Sequence, residues 1–169
     1  ANLNITATGT ASNPILFQKN GVGANPLITA GVGVSTTLDG IIKLSGSDYI
    51  TFDGIDVKED AGNVTTTTQM EWGYAVLKVD GTNGSRYVTI KNCSITLDKS
   101  NTNTRGIYSA NHTIASTTTL TLTDTLGANS YNKYYSNIIT NCNSGIWIGG
   151  SSLEAYYDQG NEVGVTGSR

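Results

Sequence analysis

Apolar residues in this chain come in short runs, and within the runs they alternate with polar ones. In YITFDGIDV (49–57), Ile50 and Phe52 alternate with Thr51 and Asp53, and Ile55 and Val57 flank Asp56. Alternation with a period of two marks half-buried strands. No window sustains apolar residues at the i, i+3, i+4, i+7 spacing of a helix. The pattern predicts strands over 15–18, 27–30, 41–44, 49–52, 55–58, 75–79, 87–90, 94–97, 106–109, 138–140 and 145–148. Gly, Asn, Asp and Ser bound most of them, as turn residues do.

The runs also repeat. YVTIKNCSI (87–95) and SNIITNCN (136–143) echo YITFDGIDV (49–57). Placing Gly54, Asn92 and Asn141 in one column gives spacings of 38 and 49 residues. Periods of this size indicate a solenoid or a propeller. Gly and Asn both accept the left-handed backbone region at low cost, so a column of them marks a tight bend of fixed geometry. Stacked Asn side chains also form hydrogen-bonded ladders. The column after the bend holds Ile55, Cys93 and Cys142, which this alignment turns inward. A second strand accompanies each phrase: GIIKL (40–44), AVLKV (75–79), RGIYS (105–109) and SGIWI (144–148). Strand, one-residue bend, strand is the unit of a parallel β-helix. A propeller needs a recurrent hairpin turn, and Asp53-Gly54 and Asp80-Gly81 do not recur in register. A β-sandwich is the competing all-β arrangement.

The expected fold is therefore all-β: a right-handed parallel β-helix over residues 1–169, with the bends at Gly54, Asn92 and Asn141 stacked. Thr-rich insertions near 61–71 and 111–133 explain the uneven spacing and should project as loops.

Composition narrows the partners. Charged residues make up 14% of the chain and the net charge is −3. Thr, Ser, Asn and Gly supply a neutral polar surface, which suits an extracellular setting. Without a basic patch, nucleic acid is not an expected partner. No apolar run is long enough to span a bilayer, so membrane insertion is not expected. Two cysteines and one histidine give no metal-ligand spacing, and no cofactor or metal is expected. Cys93 and Cys142 are expected to be buried free thiols, because side chains on stacked parallel strands lie side by side.

Three groups of residues are candidates for function. Asp53 and Asp56, with Lys91 as a base, form the catalytic alternative. No acid occupies the aligned neighbouring positions, so a non-catalytic role is the primary expectation. Trp147, Tyr108, Trp72 and Tyr74 form the second group. In GIWIG, Ile146 and Ile148 should face inward and Trp147 outward, with Tyr108 in the matching column. Outward aromatics in a row suit the flat faces of sugar rings. Asp124-Thr125-Leu126 is the third group.

SDYITFDGIDV (47–57), SRYVTIKNCSITL (85–97) and YYSNIITNCNSGIWIGG (134–150) resemble right-handed β-helix repeats of the pectin-lyase-like superfamily. GTASNPILFQKNG (9–21), MEWGYAVLKV (70–79) and YYDQGNEVG (156–164) resemble segments of large secreted or surface proteins of Bacteroidetes that carry C-terminal sorting signals for type IX secretion. The resemblance implies a secreted or cell-surface glycoprotein, a stalk, adhesin or carbohydrate-contacting scaffold, with polysaccharide or glycan as the partner. It also implies O-glycosylation at Thr125. The superfamily includes polysaccharide lyases and glycoside hydrolases as well, the alternative in which Asp53, Asp56 and Lys91 act. A self-assembling fibre subunit is a further alternative. The strand-like sequence at both ends leads us to expect a segment of a longer polypeptide, with neighbouring domains or another copy stacking on open strand edges.

Overall fold

The computed structural model describes residues 3–165. Fourteen strands follow one another: β1 (Leu3–Ile5), β2 (Ile15–Gln18), β3 (Leu27–Thr29), β4 (Gly40–Ser45), β5 (Ile50–Asp53), β6 (Asp56–Lys58), β7 (Trp72–Lys78), β8 (Thr89–Lys91), β9 (Ser94–Thr96), β10 (Arg105–Thr113), β11 (Lys133–Tyr135), β12 (Ile138–Thr140), β13 (Ser144–Gly149) and β14 (Glu162–Gly164). Two single-turn 3₁₀ segments, Thr125–Gly127 and Glu154–Tyr156, are the sole helical elements among the described residues.

The strands form three sheets in the orders β1-β4-β7-β10-β13, β2-β5-β8-β11-β14 and β3-β6-β9-β12. Every strand pairing is parallel. Each strand lies beside the strand three places later in the chain, so the backbone visits the three sheets in turn. The protein is all-β with three parallel sheets, a path compatible with a β-helix.

The core lies between the sheets. Ile42, Tyr74 and Ile107 share one register position in the first sheet, and Phe52, Ile90 and Tyr134 share one in the second. All belong to the same buried cluster. Burial of such side chains contributes roughly 1.5–3 kcal/mol each. A second cluster, Trp72, Ala75, Leu77, Tyr108 and Ala110, lies on the outer face of the first sheet.

Register corrects the bend column. Gly54 and Asn92 take φ of 67° and 56°, as their residue types allow. The third member is Ser136, at φ 51°, not Asn141. Pairing of Ile138 with Ser94, and of Tyr135 with Lys91, puts Ser136 in line with Asn92, 44 residues on. The chain of bonds Gly54 N to Lys91 O (3.0 Å), Asn92 N to Tyr135 O (3.1 Å) and Ser136 N to Gly164 O (2.8 Å) runs through this corner. Asn141 is also left-handed, at φ 53°, but occupies the next corner, where its Nδ2 donates to Leu97 O at 2.8 Å. Two corners with the same backbone requirement select the same residue type, and the Asn-Cys pair therefore matched across different corners.

The same shift separates the cysteines. Cys93 follows Asn92 and is matched by Ile55 and Asn137, while Cys142 follows Asn141 one corner later. They do not occupy equivalent positions; both are free, Cys93 buried and Cys142 half-buried.

Asparagines do bridge the repeats, but by clipping backbone. Asn132 Oδ1 accepts from Val88 N (2.8 Å) and its Nδ2 donates to Ser85 O (3.1 Å). Asn161 makes the same pair with Asn132 N (2.8 Å) and Asn129 O (2.9 Å). Asn137 does so with Cys93 N (3.1 Å) and Ile90 O (2.8 Å). Each clip satisfies one donor and one acceptor at a corner where strand pairing has stopped.

The insertions differ from expectation. β10 runs on to Thr113, and the following loop folds back in part instead of projecting. Leu122, Ala128, Asn129 and Asn132 are buried. Gly127 lies so close to Gly81 that an added Cβ would come within 2.3 Å of Gly81 O. In the shorter insertion Gln69, Met70 and Glu71 are buried as well.

Candidate functional site

Two aromatic ladders run across the repeats, each beside an arginine. The first stands on the outer face of the first sheet. Trp72 and Tyr108 stack at 4.7 Å between ring centroids and Tyr108 and Trp147 at 4.9 Å. The Tyr108–Trp147 match follows the strand register, with Ile107 opposite Ile146 beside it. Burial fades along the ladder: Trp72 is 1% exposed, Tyr108 8% and Trp147 41%. The Arg105 guanidinium lies 5.2 Å from the Tyr108 ring centre and 5.8 Å from that of Trp147.

His112 closes the inner side of this ladder. Its ring centre is 5.7 Å from Trp72 and 5.5 Å from Tyr108. Nδ1 lies 2.7 Å from Thr113 O and Nε2 3.0 Å from the Tyr108 hydroxyl. A carbonyl only accepts, so Nδ1 carries the proton and Nε2 accepts from Tyr108. Burial pushes the imidazole below its usual pKa, against the opposing pull of the Thr113 carbonyl.

Tyr74, the fourth aromatic of the predicted platform, is elsewhere. It is buried in the core, its hydroxyl donating to Ile55 O at 2.7 Å and its ring edge-on to Phe52. A local irregularity around Gly73 explains this. Gly73 faces the core beside Ile95 and Val57, so Gly73 and Tyr74 both turn inward and strict alternation fails.

The second ladder was not evident from the sequence. Tyr49, Tyr87 and Tyr131 stack at 4.5 and 5.1 Å, with Arg86 at 5.4 Å from the ring centre of Tyr87 and 5.6 Å from that of Tyr131. All three tyrosines hold left-handed backbone, at φ 52°, 56° and 61°. They form a corner, joined by bonds from Tyr49 N to Arg86 O (3.0 Å) and Tyr87 N to Ser130 O (3.1 Å). The available signal was a tyrosine just before each of three strands.

The catalytic candidates are brought together in part. Lys91 Nζ lies 3.0 Å from Asp53 Oδ2 across adjacent repeats. Asn92 Nδ2 donates to Asp53 Oδ1 at 2.7 Å. Burial alone would raise the Asp53 pKa; the Asn92 and Lys91 hydrogen bonds and the Lys91 charge outweigh it and hold the carboxyl below its usual range. Asp56 is engaged separately, its Oδ1 accepting from Ser94 N (2.7 Å) and Asn25 Nδ2 (2.8 Å). Asp53 borders a polar hollow of about 300 Å³ with Lys19, Asn25 and Asn92.

A fully buried amine, Lys78, escaped the sequence reading. Its Nζ donates to Gly127 O at 2.6 Å and lies 3.7 Å from Asp158 Oδ1. Burial pushes Lys78 down and Asp158 up, each opposed by its partner's charge. Lys78, at the end of β7, thus ties together the folded-back insertion through Gly127 and the β13–β14 connection through Asp158.

Thr125 is exposed at the start of its 3₁₀ turn, where Asp124 Oδ1 accepts from Leu126 N at 2.8 Å. No cluster of three metal-ligating side chains is present among the described residues. No helix among them is long and apolar enough to cross a membrane. Comparison with family models, with curated proteins and with solved structures finds no match.

Proposed function

We propose that the chain is a right-handed parallel β-helix segment of the pectin-lyase-like kind, from a secreted or cell-surface bacterial protein of Bacteroidetes type. In this reading it is a non-catalytic scaffold that contacts carbohydrate. Handedness rests on the general rule that crossovers between parallel strands of one sheet are right-handed. The observation that carries the binding role is the Trp72–Tyr108–Trp147 ladder, which ends on a half-exposed indole beside Arg105. The scaffold role is supported by the engagement of every catalytic candidate in bonds between repeats: Asp53 with Lys91 and Asn92, Asp56 with Ser94. The test is glycan binding by the intact chain and by Trp147→Ala. A tenfold or greater loss, with unchanged circular dichroism, is expected. Equal binding by both would remove the indole from the role. Depolymerisation of acidic or neutral glycans, abolished by Asp53→Ala, would favour the lyase or hydrolase reading instead. Thr125 carries an O-glycan in this reading, and peptide mapping of native material showing bare Thr125 would reject it.

A second reading, self-assembly into a fibre, draws on exposed apolar side chains on the outermost strands of the sheets among the described residues. Leu16, Phe17 and Leu27 lie on β2 and β3, and Ile138, Ile148 and Val163 on β12, β13 and β14. Unpaired apolar edges favour association with another strand edge. Light scattering tests it: mass should grow with concentration, and a monomer at high concentration overturns it.

A further inference from the structure

The second ladder ends beside a hollow of about 240 Å³. The hollow lies where the two 3₁₀ turns meet the tyrosine corner, and Arg86, Tyr131, Tyr156, Tyr157 and Gln159 line it. A ligand can reach these side chains. Tyr157 is 48% exposed and Tyr131 37%, Gln159 is exposed, and Arg86 and Tyr156 are half-buried. Gln159 stands on fixed backbone: its N–H donates to Ser130 Oγ at 3.0 Å and its carbonyl accepts from Tyr131 N at 2.7 Å. That leaves its side-chain amide for a ligand.

Arg86 supplies the charge on these walls, and no carboxylate lines them. It forms no ion pair among the described residues. Only its Nε is buried without a bond, so Nη1 and Nη2 are the nitrogens a ligand meets. Nearby carboxylates are engaged with backbone instead. Asp48 Oδ1 accepts from Arg86 N at 2.8 Å, Asp124 Oδ1 from Leu126 N at 2.8 Å and Asp158 Oδ1 from Asn129 N at 2.9 Å. An unpaired guanidinium among hydroxyls and an amide selects an oxyanion. Shape and charge narrow the choice. One guanidinium fork alone satisfies the two coplanar oxygens of a carboxylate. Here the donors come from three stretches of chain: Arg86 before β8, Tyr131 before β11, and Tyr156, Tyr157 and Gln159 after β13. That arrangement suits three oxygens pointing in three directions, as in a sulfate or phosphate ester. One positive charge balances a singly charged sulfate ester, whereas a phosphate monoester carries about −1.5 to −2. The exposed rings of Tyr131 and Tyr157 offer apolar surface to a sugar. The volume is below the ~300–1,000 Å³ of sites for drug-sized ligands, so it holds one ring.

We propose that this hollow binds the sulfate ester of a single sugar, with Arg86 Nη1 and Nη2 and the Gln159 amide donating to the sulfate and Tyr157 packing against the ring. This deepens the carbohydrate-contacting reading and rests on it. It differs from that reading in place, the second ladder instead of Trp147, and in the charge of the ligand. Thr125 also lines the hollow, so the site is open where Thr125 is bare and a glycan there would close it.

The full chain, labelled with nitrogen-15 and shown by intact mass to carry a bare Thr125, is titrated at constant ionic strength with glucose 6-sulfate, glucuronate and glucose. The amide signals of Tyr131 and Gln159 report on the hollow, and the Trp147 indole reports on the first ladder. The expected result is a saturable shift at Tyr131 and Gln159 with glucose 6-sulfate and none with glucose. Arg86→Gln should weaken binding roughly tenfold or more. Lys133→Gln, which removes the same charge from an exposed position on β11, should leave it unchanged. Gln159→Trp fills the hollow from an exposed position and serves if Arg86→Gln does not fold. An equal shift with glucose or with glucuronate overturns the assignment to sulfate, as does a shift that survives both Arg86→Gln and Gln159→Trp. A shift confined to the Trp147 indole leaves the carbohydrate reading standing and overturns this site. Silence of both reporters also overturns the site, and the carbohydrate reading is then decided by the Trp147→Ala comparison alone.

Discussion

The two aromatic ladders have nearly the same spacing and an arginine beside each, Arg105 and Arg86, yet they are held by different physics. Trp72–Tyr108–Trp147 grows from strand residues, and its inner rings are covered. Burial of apolar area is its main support. Tyr49–Tyr87–Tyr131 grows from a corner, with Tyr87 and Tyr131 each 37% exposed. Little burial supports it, and its three residues hold a backbone region that disfavours any residue with a Cβ, at roughly 1 kcal/mol each or more. The corner at Gly54, Asn92 and Ser136 meets the same backbone demand largely with residues suited to it. Two stacked pairs at about 0.5–1.5 kcal/mol each offset at most the strain of the three tyrosines and leave no surplus. The lesson is that register sets only part of a ladder, since Tyr108 and Trp147 are strand partners while Trp72 is paired with Arg105 and stacks on Tyr108 from an offset position, and that a ladder's stability depends on what covers it.

Substitutions separate the two cases. Trp72→Ala opens a cavity in the covered ladder and should cost about 3–5 kcal/mol, read from urea denaturation. A loss below about 1 kcal/mol would show that the outer cluster contributes no more than the exposed corner. Tyr87→Gly removes two stacked contacts and relieves one strained residue. The opposing effects leave an expected net loss of about 1 kcal/mol in the same assay, and a loss as large as that of Trp72→Ala would erase the distinction.

The covered ladder should also be the one that senses acid. Burial holds the His112 pKa in the folded state below the ordinary imidazole value of 6.5. Its stabilising contribution is therefore complete above 6.5 and is lost as pH falls through the lower folded value. The single imidazole can be followed by proton NMR, and a midpoint at or above 6.5 would refute this. Tryptophan fluorescence should change over the same pH range and stop doing so in His112→Phe. The smallest effect is expected from the arginines: Arg105→Ala and Arg86→Ala should each cost about 0.5–1 kcal/mol, with Arg105 at the upper end because the rings beside it are drier.

Much of the architecture was legible along the chain. The strand at Ile15–Gln18 was placed at both ends, and Ile138–Thr140 likewise. Period-two alternation and Gly or Asn at tight bends are local signals, set by backbone sterics and by burial of one strand face. The pairing of Tyr108 with Trp147 was also readable, because GIYS and GIWI share one alternation. The register of the third bend was not. Lys133–Tyr135 joins the second sheet but follows a long polar insertion, and Asn141-Cys142 repeats Asn92-Cys93 at a different corner.

Local pattern alone determined that the chain forms short strands, that left-handed bends separate them, and that certain aromatics face outward. Tertiary structure decided which bend stacks on which, because register depends on side chains from repeats 38 to 44 residues apart meeting in the core. It also decided that the long insertion folds back, that Tyr74 turns inward, and that the buried Lys78 finds Asp158 across the chain. Those outcomes depend on which surfaces are left uncovered once the sheets have assembled, and no stretch of sequence contains that information by itself.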